Sequence, residues 1–335
     1  MILAGDIGGT KTALGLYRDE SAPGNPVAME IFSSKDHASL EEITTLFLER
    51  THPDPVRTAC FAVAGPILSG RACVTNLPWT VQSTSLSDAL GIERVRLLND
   101  VQAVACSVPI LKGKDIHTLS AGSAETRGTM AVIAVGTGLG EAFLTWSGTS
   151  YQSHPTEGGH TDFGPADELQ AGLLSFMSRK RDHVSWEVVC SGIGIPNIYD
   201  YLLSTGKYED GGLSEERLEH GGGDRTPAII NAALEPYSSC PLCVETLDMF
   251  VSILGAEAGN LVLKTMATGG LYLGGGIPPR ILKVLEAGFF LDAFTSKGRL
   301  NPMMKRVPVH VILNPDAALM GAAMEAIRMS REGQS

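Results

Sequence analysis

The run Gly5-Asp6-Ile7-Gly8-Gly9-Thr10-Lys11 gathers the groups that a polyphosphate asks for. Paired glycines let backbone N–H groups come close to an anion, Thr10 adds a hydroxyl donor and Lys11 a positive charge. Asp6 stands just before the tip. A carboxylate at the end of an apolar strand is costly unless a cation faces it, and a magnesium ion carried by a nucleotide would do so. The same residues also read as an ordinary glycine hairpin, and nothing local separates the two readings.

Further along, Asn99-Asp100 ends the apolar run Val95-Arg96-Leu97-Leu98, which puts an amide and a carboxylate at a strand's carboxyl end. Open α/β sheets place their chemistry there. Gly136-Thr137-Gly138-Leu139-Gly140 lies between two apolar runs and repeats the opening device. It is not a dinucleotide fingerprint, because Glu141 stands where the last glycine is needed and a strand follows instead of a helix. No Walker A motif is present either. Glu157-Gly158-Gly159-His160-Thr161-Asp162-Phe163 is polar, glycine-rich and titratable, as a functional loop is. Glu187 adds a carboxylate in an apolar frame, and Gly274-Gly275-Gly276 forms a turn that a flat or anionic ligand can approach closely. Taken singly, Asp100 reads equally well as a helix N-cap, Glu187 as an ion-pair partner on a helix face, and His160 as a satisfied loop histidine.

The elements that must position these groups follow a βββα order. Two strands flank Gly8-Gly9-Thr10 and a third runs over Val27–Ser33. A capping box at Ser39-Leu40-Glu41-Glu42 then opens a helix with Leu40, Ile43 and Phe47 on its apolar face. The continuous apolar run Thr58–Pro66 reads as a strand buried on both faces that ends in a Gly-Pro turn. A long helix is expected from about Val244 to Thr268, a strand at Val307–Leu313, and a closing helix Ala317–Met329 capped by Asp316. The small residues Ala322 and Ala323 of that last helix permit close packing on the first sheet. Thr205–Arg225 reads as a solvated surface excursion.

Composition narrows the partners. The chain has 335 residues, is 44% apolar and carries a net charge of −11, so neither nucleic acid nor an anionic membrane is expected as its main partner. No apolar stretch reads as a membrane span and the N-terminus enters a strand directly, which predicts a cytoplasmic protein. The cysteines at 60, 73, 106, 190, 240 and 243 are expected reduced and buried. Cys240-Pro241-Leu242-Cys243 lacks the second ligand pair of a zinc site and reads as a helix start.

In this order and spacing, the motifs Gly5–Thr10, Leu98-Asn99-Asp100, Gly136–Gly140, Glu157–Phe163, Glu187 with Ser191-Gly192, and Leu273–Gly276 resemble those of the bacterial-type glucokinases, in the hexokinase and actin-like ATPase superfamily. The resemblance covers nearly the whole chain. It implies an α/β fold of two actin-like ATPase (ribonuclease-H-like) domains, with mixed β-sheets flanked by helices and a cleft between them. The small domain would be 1–110 plus 301–335 and the large domain 111–300. It implies ATP-dependent phosphorylation of glucose at the 6-hydroxyl, with Asp100 as the base and Asn99, Asp100, Glu157, His160 and Glu187 as sugar ligands. Gly5, Asp6, Ile7, Gly8, Gly9, Thr10, Gly136, Thr137 and Gly138 would hold the phosphates, Gly274 and Gly275 would back the adenosine, and Asp6 would orient Mg2+ through water. A homodimer is also implied.

Three residues depart from the family pattern. Lys11 is nearer to the related repressor and kinase branch, but no cysteine near Glu157 and His160 supplies that branch's zinc loop. Val101 replaces an aromatic, and Glu141 replaces a small apolar residue without an evident reason. A sugar-binding regulator would carry a DNA-binding helix-turn-helix before the first strand, whereas here the first strand starts at residue 2. A kinase for another hexose, or one using polyphosphate, fits the same motifs.

Overall fold

Strands β1 (Ile2–Ile7) and β2 (Lys11–Tyr17) pair antiparallel around the Gly8-Gly9-Thr10 turn, with Ile7 opposite Thr12. The computed structural model describes residues 1–18, 23–209, 224–235 and 240–332. Most of the 205–225 excursion therefore lies outside the described residues. β3 (Ala28–Ser33) adds to β2 as an edge, and β4 (Thr58–Val63) and β8 (Arg94–Asn99) run parallel to β1, giving the order β3-β2-β1-β4-β8. Register aligns Ile7, Val63 and Asn99 in one row. Three parallel strands thus end at the same edge, where they deliver the first glycine turn, the Ala64-Gly65 turn and Asp100. Between β4 and β8 lie a small sheet of β5 (Ile67–Leu68), β6 (Arg71–Cys73) and β7 (Thr80–Gln82), and the helix α2 (Ser83–Leu90).

α1 (Leu40–Thr51) forms as its pattern predicts, burying Leu40, Ile43 and Phe47. Its cap differs in one bond. Ser39 accepts from Glu42 N–H at 3.2 Å, but the Glu42 carboxylate reaches Ala38 N–H at 2.7 Å instead of returning to Ser39. The closing helix Ala317–Glu332 packs on the opposite face of the first sheet, where Ala322, Ala323 and Ala326 meet Ile2, Ala4 and Ala62. Gly321 makes the closest approach: a Cβ there would run into the Ala103 carbonyl of α3 (Asp100–Ser107).

A second sheet has the order β12-β11-β10-β13-β14-β9, built from β9 (Ile116–Ser120), β10 (Met130–Val135), β11 (Leu139–Trp146), β12 (Tyr151–Thr156), β13 (Gly270–Gly274) and β14 (Val309–Ile312). β10 and β13 are parallel, with Ala134 opposite Gly274, so the second hairpin and the triple-glycine turn leave the sheet side by side. The core here centres on the helix Pro241–Thr265, which starts and stops three residues earlier than expected. Cys240 caps it through Sγ, which accepts from Cys243 N–H at 3.3 Å, Pro241 occupies the first turn, and Met266 ends it in the left-handed region at φ 50°. By length and composition alone this helix could cross a membrane, contrary to the expectation that no stretch would, yet 78% of its apolar window is buried inside the protein.

Two compact units result: Met1–Gly113 with Ala142–Pro155 and Asn314–Ser335, and Lys114–Glu141 with Thr156–Leu313. The first unit takes in 142–155 and starts its last piece at 314, where the sequence reading places those boundaries elsewhere. The cysteines are thiols outside any disulfide among the described residues; four are buried, but Cys73 is exposed. It lies on a three-residue strand whose alternate residues face outward.

Candidate active site

In the first unit, the Gly8 N–H donates to the Lys11 carbonyl at 2.9 Å and closes the turn. The Ser34 hydroxyl donates to the Gly8 carbonyl at 2.8 Å and meets Thr12 Oγ1 at 2.9 Å, while Ser34 N–H donates to Thr10 O at 3.0 Å. Among the described residues, the amides of Gly9 and Thr10 make no such bond. Gly9 is required by closeness: a Cβ would sit 2.8 Å from the Thr75 carbonyl. Thr75 is itself tied back to the Ala64 carbonyl through N–H and hydroxyl, at 3.0 and 3.1 Å, so the wall behind the turn is rigid. Ser34 and Thr75 are supports that sequence reading missed, because neither belongs to a recognisable motif.

Asn99, not Asp100, is the N-cap of α3. Its Oδ1 accepts from Val101 and Gln102 N–H at 3.0 and 3.3 Å, and its amide donates to the Gly65 carbonyl at 3.1 Å. That fixes the turn, so Asp100 occupies the first helical position. Asp100 Oδ1 accepts from Val101 N–H at 2.9 Å.

Asp6 is pushed up to about 6, chiefly by burial and then by the charges of Asp100 and Asp316. A carboxyl raised by its neighbours is one whose charge the protein leaves to be balanced from elsewhere. This donor set fits a hydrated divalent cation arriving with a nucleotide. It does not fit a chelated one, since among the described residues no three carboxylate, imidazole or thiol groups converge as direct ligands.

In the second unit, Gly136 N–H donates to the Gly138 carbonyl at 3.0 Å. The hairpin is then held from outside: Gly192 N–H donates to Gly136 O at 2.8 Å and Ile193 N–H to Thr137 O at 3.3 Å. Leu139 N–H donates to Glu187 Oε2 at 2.9 Å. A Cβ on Gly138 would strike that same carboxylate oxygen, which accounts for the glycine. Gly275, at φ 88°, lies so close to the end of β10 that a Cβ would be 2.6 Å from the Val135 carbonyl carbon.

Glu157, His160 and Glu187 come together in space. His160 lies with Nε2 4.0 Å from Glu157 and Nδ1 4.0 Å from Glu187 Oε1. Glu157 and His160 are exposed, so their polar atoms are available to a ligand. The loop is pinned from behind by Phe163, whose ring packs edge-on against Trp186 at 5.2 Å, and by Trp186 N–H donating to Thr161 O at 3.1 Å. That staple sets the loop against α5 (Trp186–Val189), which carries Glu187. Such a set of acceptors and donors matches a ring of hydroxyl groups, which both give and take hydrogen bonds.

A model of the glucokinase family matches residues 3–329. The chain belongs to the glucokinase family. The glucokinase of Nostoc punctiforme is 39% identical over 98% of this chain and 99% of that protein. Among solved structures, the glucokinase from an Antarctic psychrotroph is 32% identical, with a TM-score of 0.83 and coverage of 98% of each chain. A glucokinase of the ROK family from Streptomyces griseus, solved with glucose and AMPPNP, has a TM-score of 0.63 at 19% identity, covering 98% of this chain and 99% of that one. That last likeness speaks for the shared fold, a pair of actin-like ATPase domains, which this glucokinase family member has.

Proposed function

We propose that the protein transfers the γ-phosphoryl group of ATP to the 6-hydroxyl of glucose, giving glucose 6-phosphate and ADP. The observation that carries this is family membership over nearly the whole chain. Asp100 is the base: it takes the proton of the 6-hydroxyl as that oxygen bonds to phosphorus and the bond to ADP breaks. A placed base contributes about 10² to 10⁴ in rate, and a loose phosphoryl-transfer transition state asks for less of that range. Asn99, Glu157, His160 and Glu187 bind the sugar. The amides around Gly8-Gly9-Thr10 and Gly136-Thr137-Gly138 bind phosphate oxygens, and Gly274-Gly275 backs the adenosine. Mg2+ bound with ATP would neutralise phosphate charge, with Asp6 orienting its water shell. A cytoplasmic location and a homodimer belong to the same proposal, supported by the family resemblance.

The test is a coupled assay across sugars and donors. Glucose with ATP is expected to give the highest kcat/KM. Galactose is expected to lose at least tenfold, because its axial 4-hydroxyl would leave the Asn99 amide without its sugar partner at a cost of about 1 to 3 kcal/mol. Galactose used as well as glucose, or polyphosphate used in preference to ATP, would overturn the assignment.

A further inference from the structure

Glu141 follows the second hairpin on β11 and is 2% exposed, an unusual place for a carboxylate. Its carboxyl group is within hydrogen-bond reach of that of Glu257, fully buried on the helix Pro241–Thr265. Glu257 has its own donors: Asn260 Nδ2 at 2.9 Å and Lys264 Nζ at 3.3 Å. Glu141 does not. Its Oε1 has no donor among the described residues, and a proton between the two carboxyl groups would supply one.

The other oxygen, Oε2, points to the loop above. A Cβ added to Gly158 would collide with it and lie 2.8 Å from Glu141 Cδ, so the carboxyl group is in direct contact with the loop backbone. Gly159 rests on the same strand, its Cβ position 3.1 Å from the Leu139 carbonyl carbon. Glu157 and His160 flank these two glycines. β11 and the helix are core elements, and the glycine pair, which has no side chains, lies directly against β11.

We propose that Glu141 is a positioning residue: it holds a proton shared with Glu257 and, through its contact with Gly158, sets the place of the Glu157–His160 loop, so that the grip on the sugar loosens when that proton leaves. The inference rests on the reading of Glu157 and His160 as sugar ligands. Burial, and after it the charge of Glu257, pushes the Glu141 carboxyl up to about 8, while Lys264 acts in the opposite direction. Glu257 is raised as well, mainly by burial, but Asn260 and Lys264 favour its charged form, which leaves Glu141 as the proton holder. The remaining groups near the pair are the Cys190 thiol, itself pushed up by burial and by both glutamates, and Lys297, which acts on Glu257 and is lowered by burial. From the loop side, Glu157 and His160 are exposed to water and screened. Above the transition two buried carboxylates repel across the contact, with Lys264 and Lys297 to offset the charge of Glu257. Binding of glucose, which needs the loop in place, is therefore linked to the protonated form.

The experiment measures glucose KM and kcat at saturating ATP from pH 6.5 to 9.5 for the wild type, Glu141→Gln, Glu257→Gln and Glu157→Gln, with thermal melts of each. In the wild type, glucose KM should rise at least fivefold between pH 7 and pH 9 while kcat changes less than twofold. Glu141→Gln, whose amide donates at every pH, should hold that rise below twofold. Glu257→Gln removes the repelling charge from the other side and should flatten the profile too, which keeps the test usable if one variant folds poorly. A flat wild-type profile, or Glu141→Gln rising in parallel with it, overturns the proposal. Glu157→Gln separates the two levels: it should raise glucose KM more than tenfold at every pH, and a wild-type KM there would remove the sugar-ligand reading itself.

Discussion

At Gly8-Gly9-Thr10 the turn is held by its own backbone and by the Ser34 hydroxyl, whereas at Gly136-Thr137-Gly138 it is held by Glu187 and by the amides of Gly192 and Ile193. The buried carboxylates beside them differ in the same way. Asp6 precedes its turn among other carboxylates, so burial leaves it needing a cation. Glu141 follows its turn and shares a proton with Glu257. A repeated glycine motif therefore does not imply a repeated mechanism. The first hairpin is built to meet charge arriving from outside, and the second is mechanically tied to the element that carries a proposed sugar ligand.

The largest effect that tests this division is Asp100→Asn. The amide preserves size, so glucose affinity should stay within a few-fold while kcat falls about 10² or more. Titration calorimetry with glucose together with turnover measures both. Near-normal turnover would take the base role from Asp100.

Next in size, Glu187→Ala should weaken both ligands. It removes a proposed sugar contact and frees the Leu139 N–H that fixes the second hairpin. A partly buried donor left unpaired costs about 1 to 3 kcal/mol, which is about 5- to 150-fold in affinity. Loss of glucose affinity with unchanged ATP affinity would show that the hairpin does not need this support.

Asp6→Asn sharpens the carboxylate half of the comparison. Because the folded pKa of about 6 lies above the ordinary aspartate value of 3.8, the native state binds the extra proton and Asp6 destabilises the fold increasingly as pH rises through that window. The neutral amide should raise the stability of the ligand-free protein by about 1 to 3 kcal/mol at pH 7.5, at about 1.4 kcal/mol per pKa unit. That gain should shrink as pH falls towards 4, even though activity is lost. Differential scanning calorimetry at both pH values checks the sign; a loss of stability at pH 7.5 would mean that Asp6 already has a cationic partner.

Much of this was legible because the signals are local. Gly8-Gly9-Thr10, Gly136-Thr137-Gly138 and Asn99-Asp100 each sit at the end of an apolar run, so strand geometry alone presents them at a sheet edge. Ser39 and Glu42 announced a helix start, and the alanines of the closing helix announced a close crossing. What stayed hidden is every bond between segments far apart in the chain. Glu141 looked unexplained because its partner Glu257 lies on a helix whose periodicity spoke only of core packing. Glu187 has a second task, its bond from Leu139 N–H, that nothing local in the sequence shows. Cys73 read as buried because the short sheet of β5 to β7 has no pattern long enough to reveal which side faces water.

The smallest effect, and the one that discriminates best between the hairpins, is Ser34→Ala. Ser34 is fully buried, and among the described residues its hydroxyl bonds to the Gly8 carbonyl and Thr12. Removing it leaves Thr12 Oγ1 and the Gly8 carbonyl each short of one hydrogen bond, at a net cost of about 0.5 to 1.5 kcal/mol. The remaining bonds from Gly8 N–H to Lys11 O and from Ser34 N–H to Thr10 O are backbone and survive. The turn should loosen rather than collapse. KM for ATP should therefore rise about 2- to 10-fold, with glucose affinity unchanged, in contrast to the double loss expected of Glu187→Ala. Steady-state kinetics with each substrate varied in turn decides between them, and an equal loss for glucose and ATP in Ser34→Ala would mean that the two hairpins are not independently supported.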